Sequence, residues 1–229
     1  MKAIAIHTIP TNDKGGVALI FTEQFGIRPY YVTLGKKSTL YQAMTLLDIE
    51  ERERRSGSMR MLAEVRRDPP LLDVPMHPLK ASIALFMAEV LHRSLAEEQP
   101  MPALFHYCHV SMQALDLDDQ VASYPIGFLC KLIDHLGFAP PPVPASDMCL
   151  DLVQGEWLGA PPLHGDFLQG EEAQRFGHAI HASHESLAEL LKGRAERRIL
   201  LDQLVRYLQI HLHHDRELKS YAILREVFA

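Results

Sequence analysis

Short apolar runs separated by turn-forming residues fill the first third of the chain. They are Ala3-Ile4-Ala5-Ile6, Val17-Ala18-Leu19-Ile20-Phe21, Tyr30-Tyr31-Val32-Thr33-Leu34, Thr45-Leu46-Leu47-Asp48-Ile49 and the stretch from Met59 to Val65. Between them stand Thr11-Asn12-Asp13-Lys14-Gly15-Gly16, Gly26, Gly35 and Ser56-Gly57-Ser58, which is the punctuation expected between strands. Five strands this short suit a small closed or half-closed antiparallel barrel, because closure removes exposed edges. A five-stranded OB-fold is predicted, with an SH3-like barrel as the alternative.

After Asp68-Pro69-Pro70 the period changes from two to 3.6. Ile83, Phe86, Met87, Val90 and Leu91 form one apolar face, predicting a helix from about Pro78 to Glu98. A second helix is expected over Pro100 to Leu115. A third should start near Asp118-Asp119 and end near Gly137, with Pro125 implying a kink or a later start. The run Pro140-Pro141-Pro142-Val143-Pro144 must be extended, and Asp147 to Leu168, with the single Trp157, reads as loop-rich. Helices resume at about Glu171 to Ala182, Glu185 to Lys192, Ala195 to Leu212 and Ser220 to Phe228. In the third of these, Leu201, Leu204, Val205, Leu208 and Leu212 share a stripe. The expected class is α+β: a five-stranded barrel over residues 1–75, then an all-helical domain over 76–229 with a loop-rich insertion near 139–170.

With 229 residues and 47% hydrophobic positions, the chain can bury full cores. No apolar stretch reaches the length of a membrane helix, and the start lacks the pattern of a secretory leader, so a cytoplasmic location is expected. Cys108, Cys130 and Cys149 are too scattered for a metal pair or a disulfide framework and read as buried, reduced thiols. A net charge of −6 argues against nucleic acid, since phosphate binding needs cations that displace counterions. The average hides an asymmetry. Residues 1–80 hold 12 Lys and Arg against 9 Asp and Glu, whereas residues 81–229 hold 11 against 20, so the two halves have different electrostatic roles.

Thirteen histidines raise the question of a metal. His178, His181 and His184 drift around a helix instead of stacking on one side, and His211, His213, His214 and Asp215 crowd a helix end, where imidazolium is favoured anyway. No metal and no cofactor are expected. No GxSxG, P-loop or GxGxxG pattern is present. Cys108 points away from His106 and His109 on a helix, so no local Cys–His pair forms, and no enzymatic activity is expected. The basic residues say more. Arg28, Lys36-Lys37, Arg52, Arg54-Arg55, Arg60 and Arg66-Arg67 recur at strand ends, interleaved with Tyr30, Tyr31 and Tyr41. Such a mixture can follow a phosphate backbone and stack unpaired bases, though ordinary barrels also carry Lys and Arg at their turns.

The opening Lys2-Ala3-Ile4-Ala5-Ile6-His7-Thr8, followed by Leu19-Ile20-Phe21-Thr22-Glu23-Gln24-Phe25-Gly26, resembles the start of the RecO family, where a strand ends in an FTxxxG phrase. Tyr31-Val32-Thr33-Leu34-Gly35-Lys36-Lys37-Ser38 is similar to that family's strand and basic loop, and Met44 to Asp48 to its return strand. Ser82 to Leu91 resembles its first helix, Glu98 to Phe105 its EEEPxPxLF link, His135-Leu136-Gly137-Phe138 its xLGF close, and Glu217 to Phe228 its final LKSxxxLRE helix. The ordered set spans nearly the whole chain. It implies an OB-fold on a helical body, a recombination mediator active in DNA repair, and location in the cytoplasm with the nucleoid. It also implies binding and annealing of single- and double-stranded DNA. The implied partners are RecR and the C-terminal tail of single-stranded-DNA-binding protein (SSB), so that RecA is loaded.

Under this resemblance Arg28, Lys36, Lys37, Arg54, Arg55, Arg66 and Arg67 are the expected phosphate contacts, with Tyr30 and Tyr31 as stacking partners. Lys131, Phe128 and Leu132 are expected to take the acidic, apolar-ended SSB tail. The alternative is a protein-interaction module that docks RecR and SSB and has little DNA binding of its own. Two departures stand out: the loop from Gly35 to Gln42 is short and carries only two lysines, and three scattered cysteines cannot build the zinc cluster of some relatives. Weaker intrinsic DNA affinity and no structural zinc are therefore expected.

Overall fold

The computed structural model of the chain describes residues 1–12, 14–35, 38–52, 59–145, 148–183, 186–187, 190–191, 193–213 and 217–227. It divides into two compact units, Met1–Val121 with Leu218–Ala229, and Ala122–Glu217.

In the first unit β1 (Lys2–Pro10), β2 (Gly15–Thr22), β3 (Gly26–Thr33), β4 (Leu46–Glu51) and β5 (Leu62–Arg67) form one antiparallel sheet in the order β3-β2-β1-β4-β5. The five strands are those the apolar runs predict. Ala3 and Ala5 face a core of Ala18, Ile20, Tyr30, Val32, Leu47 and Ile49. Ile4 and Ile6 alternate to the opposite side, and α1 (Pro78–Ser94) packs on this strand. With both faces buried, β1 reads as a continuous apolar run instead of an alternation. A bulge at Ile6 shifts the register, so that Ala5 faces Ile20 but His7 faces Leu19, and the strand turns there. The edges β3 and β5 approach through one parallel bridge, Tyr31 to Met61, in which the Tyr31 N–H donates to the Arg60 carbonyl at 2.8 Å. The sheet is a half-closed, OB-like barrel.

α2 (Pro102–Leu117) covers the sheet as well, through an edge-on contact of Phe105 with Phe21 at 5.4 Å. Its last turn holds a clasp. The Asp116 carboxylate accepts the backbone N–H groups of Leu72 (3.0 Å), Asp73 (2.8 Å) and Val74 (2.8 Å). Lys80 of α1, its side chain only 3% exposed, donates to the Asp116 carbonyl at 3.0 Å and pairs with Asp73 at 2.6 Å. The chain returns to this unit at its end, where α6 (Lys219–Val227) packs on α1. Glu89 receives the first N–H groups of α6, from Lys219 at 3.2 Å and Ser220 at 2.7 Å, which satisfies helix-end donors and places a negative charge where the helix dipole favours it.

The second unit is built around α3 (Tyr124–His135), buried along most of its length and packed by α4 (Gly170–His181) and α5 (Arg194–His211). Pro125 sits in the first turn of α3 after a 3-10 turn at Val121–Ser123, so the later start, not the kink, is what occurs. The proline run is extended, its carbonyls bonded by Trp157 Nε1 (Pro141, 2.9 Å) and His181 Nε2 (Pro140, 2.9 Å). The stretch expected to be loop-rich contains a small sheet of order β7-β6-β8, from β6 (Cys149–Asp151), β7 (Glu156–Leu158) and β8 (Phe167–Leu168). Strands of two or three residues are too short to show an alternation. Half of the helix expected over 185–192 falls outside the described residues. No helix among the described residues is long and apolar enough to cross a membrane.

Two stability predictions follow from these contacts. Asp116→Asn removes the charge that three N–H groups share and should cost about 1–2 kcal/mol, read as a lower urea midpoint at unchanged slope. His92, His109 and His211 each have a pKa below the usual imidazole value, first because burial penalises the charged ring. His7 adds to this for His92, Lys2 for His109 and His213 for His211. The unfolded chain therefore binds more protons than the folded one below about pH 6.5, and stability should fall as pH drops from about 7.5 to about 5.5. Urea midpoints at the two pH values test this.

Candidate nucleic-acid interface

Tyr30 and Tyr31 are neighbours on β3, and the pleat sends them to opposite faces. Tyr30 is fully buried in the barrel core, and its hydroxyl donates to Glu51 at 2.5 Å. Burial first, then this bond, push its pKa well above the usual phenol value. Enclosed in this way, the ring offers no face to a base. Tyr31 lies half-buried on the outside. Register aligns it with Val17, Val17 with Ile9, and the bridge adds Met61, giving a row across three strands and the residue before β5 in which Ile9 and Met61 are exposed, with Met59 exposed close by in sequence. The Tyr31 ring spreads over Gly15, where an added Cβ would come 2.2 Å from its hydroxyl oxygen. A ring laid over a strand glycine supplies the packing that the glycine lacks.

The cations divide in the same manner. Arg28 turns inward: it pairs with Glu51 at 3.4 Å, lies 3.7 Å above the Phe25 ring, and its buried Nε has no partner among the described residues. Arg66 is 73% exposed but pairs with Asp48 at 2.7 Å. The Asp48 carboxyl is held down to about 2, first by its hydrogen bond from the Met1 ammonium and then by that from Arg66. Arg67 is exposed, and its Nη2 donates to the Thr39 carbonyl at 2.9 Å. Arg60 and Lys2 are committed to Glu98 and Asp68. Lys36, Lys37, Arg54 and Arg55 lie outside the described residues. Of the nine residues expected to meet DNA, the structure thus turns Arg28 and Tyr30 inward and leaves Tyr31, Arg66 and Arg67 accessible.

The family model for the C-terminal part of recombination protein O matches residues 77–141, the span of α1, α2 and α3. Proteins named DNA repair protein RecO are similar along nearly the whole chain. That of Phocaeicola vulgatus is 29% identical and covers 99% of this chain and 97% of its own length. Those of Bacteroides fragilis (29%, 98% and 97%) and Flavobacterium psychrophilum (27%, 100% and 98%) match over similar extents. Along nearly its whole length the chain is similar to proteins of the RecO family.

The residues expected to take a partner tail are placed differently from the expectation. Phe128 and Leu132 are buried in the core of the second unit and Lys131 is half-exposed beside them, because the α3 positions that carry the apolar stripe all face packing neighbours. An apolar pocket for a peptide would require those side chains to line a surface. Among the described residues no three His, Cys, Asp or Glu side chains gather in a cluster able to hold a metal ion. His211 bonds the Leu152 carbonyl at 3.1 Å and stacks on Phe138, while His184, His214 and Asp215 lie outside the described residues. All three cysteines are free and buried, and burial pushes the Cys108 and Cys130 thiols up to about 12. The outer row escapes sequence reading because Ile9 lies beyond the bulge and Met61 joins only through the bridge. A position-by-position test separates the two tyrosines. Tyr30→Phe should lower stability by about 1 kcal/mol through loss of the Glu51 bond and leave oligonucleotide affinity unchanged, as measured by urea unfolding and fluorescence anisotropy.

Proposed function

We propose that this chain is a DNA repair and recombination mediator that binds single- and double-stranded DNA on the outer face of its sheet, within residues 1–75. It anneals complementary strands and acts with RecR to load RecA onto SSB-coated DNA in the cytoplasm. The observation that carries the reading is the row centred on the half-buried Tyr31 and flanked by the exposed Ile9 and Met61, with Arg66 and Arg67 exposed at the end of β5; in sequence, the basic pairs Lys36-Lys37 and Arg54-Arg55 add to these cations. An aromatic ring among apolar neighbours can stack an unpaired base, and cations beside it can follow the phosphates. The relatives' shared name, DNA repair protein, supports the same reading. The acidic remainder of the chain repels nucleic acid, which confines it to the sheet.

A protein-interaction reading is favoured by a different observation. Leu72, Met76 and Leu117 of the first unit are 76%, 81% and 85% exposed, and exposed apolar side chains of this size often mark a partner's footprint. Fluorescence anisotropy of a labelled single-stranded oligonucleotide separates the two. Salt-sensitive binding is expected, with log K falling against log[salt] at a slope of roughly −2 to −5 for about three to five neutralised phosphates, and a loss of affinity in Lys36→Glu/Lys37→Glu. Absence of binding at low salt would transfer the function to partner docking.

A further inference from the structure

Next to the linker that leaves β5, the first unit contains a cavity of about 420 Å3, a size at which small ligands are enclosed. Its walls come from β1 around the bulge, from the segment Tyr41 to Thr45, from the linker and from α1. Residue size on the helix creates the space. Ala81 and Ala84 present only methyl groups to it, with Leu85 at the exposed side. The bulge sets His7 into the strand side, where its ring stacks on His92 of α1 with centroids 5.2 Å apart and planes 17° apart.

The chemistry of this lining is one-sided. Arg67 is exposed on its wall and bonded to a carbonyl, and among the described residues no Asp or Glu lines the cavity. The body of the cavity is apolar, while Gln42 and Thr8 bring polar groups to it. A fitting ligand therefore has a largely apolar body with polar edges and an anionic group beside it, and a planar ring would also match the His7 ring on the wall. A nucleobase with its phosphate meets each condition. In a duplex the base is stacked and paired, so only an unpaired base can enter without that cost.

We propose that this cavity is a nucleobase subsite for single-stranded DNA, with Arg67 taking the adjoining phosphate. The proposal rests on the DNA-binding reading above and extends it, because it places the preference for unpaired strands in a pocket apart from the Tyr31 row. Arg67 shares β5 with the outward Arg66, so a strand crossing β5 meets the cavity mouth. An acidic peptide with an apolar side chain would suit the apolar lining but makes no use of the His7 ring on the wall.

The test uses the full chain and oligonucleotides that carry a single 2-aminopurine, as single strands and as duplexes. The natural protein is expected to change the 2-aminopurine emission and to prefer the single strand. Ala84→Leu fills the cavity and should cost about tenfold in single-strand affinity, abolish the emission change and spare duplex binding. Ala81→Leu, at a half-exposed position, fills the same space with less demand on the core and should act alike. Arg67→Ala should weaken both substrates. Filled variants that keep the single-strand affinity and the emission change overturn this subsite while leaving DNA binding intact. No DNA binding by the natural protein overturns both readings. Filled variants that lose only the binding of a labelled acidic, apolar-ended peptide reassign the cavity to a protein partner and overturn the proposal.

Discussion

Asp116 is the point on which the first unit turns. A carboxylate at the end of one helix gathers three N–H groups from the linker leaving the sheet, and a nearly buried lysine from the next helix joins both. The linker backbone has no strand or helix partner of its own at these positions, so its donors would be left to solvent or unpaired. The clasp sets where α1 begins, and with it the spacing of Ala81 and Ala84 from β1. Burial alone would raise the Asp116 pKa. The N–H groups and Lys80 outweigh it and hold the carboxyl below the usual value, so the contact persists across the physiological range.

Glu89 does for the C-terminus what Asp116 does for the linker. Burial opposes its charge, yet the hydroxyl and N–H of Ser220, Arg93 and the N–H of Lys219 keep its pKa below the usual value. The last helix is thereby fastened to the first, and the unit that carries the sheet includes both ends of the chain. Partly buried charge of this kind is stabilised where hydrogen bonds surround it, and both carboxylates meet that condition.

On the sheet, pleat and closure decide which side chains are available to a ligand. One β3 tyrosine is inside and its neighbour outside, and Gly15 gives the outer ring a surface to lie on. Ion pairs make a second selection. Arg28, Arg60 and Lys2 are each held by a carboxylate, which lowers what they can offer a phosphate. Fewer cations of residues 1–80 are thus free to meet a phosphate than their count suggests.

Five strands, the change to helices after Pro69-Pro70, a kink or a late start of α3 at Pro125 and the extended proline run were legible in the sequence, since each rests on local periodicity or on proline's fixed backbone; only the structure chose the late start. The similarity to the RecO family was legible too, through ordered phrases over the chain. The small sheet β6 to β8 was not, because its strands carry too few residues to alternate. Among the candidate site residues, type and strand position were legible, but the inward turn of Arg28 and Tyr30, the burial of Phe128 and Leu132, and the row from Ile9 to Met61 depended on register, on a bulge and on one bridge. These are pairings between residues far apart in the chain. A sequence by itself determines the period of each segment; which neighbour a side chain meets, and so whether a cation or a ring remains free, is settled only when segments pack and one residue of register exchanges the two faces of a strand.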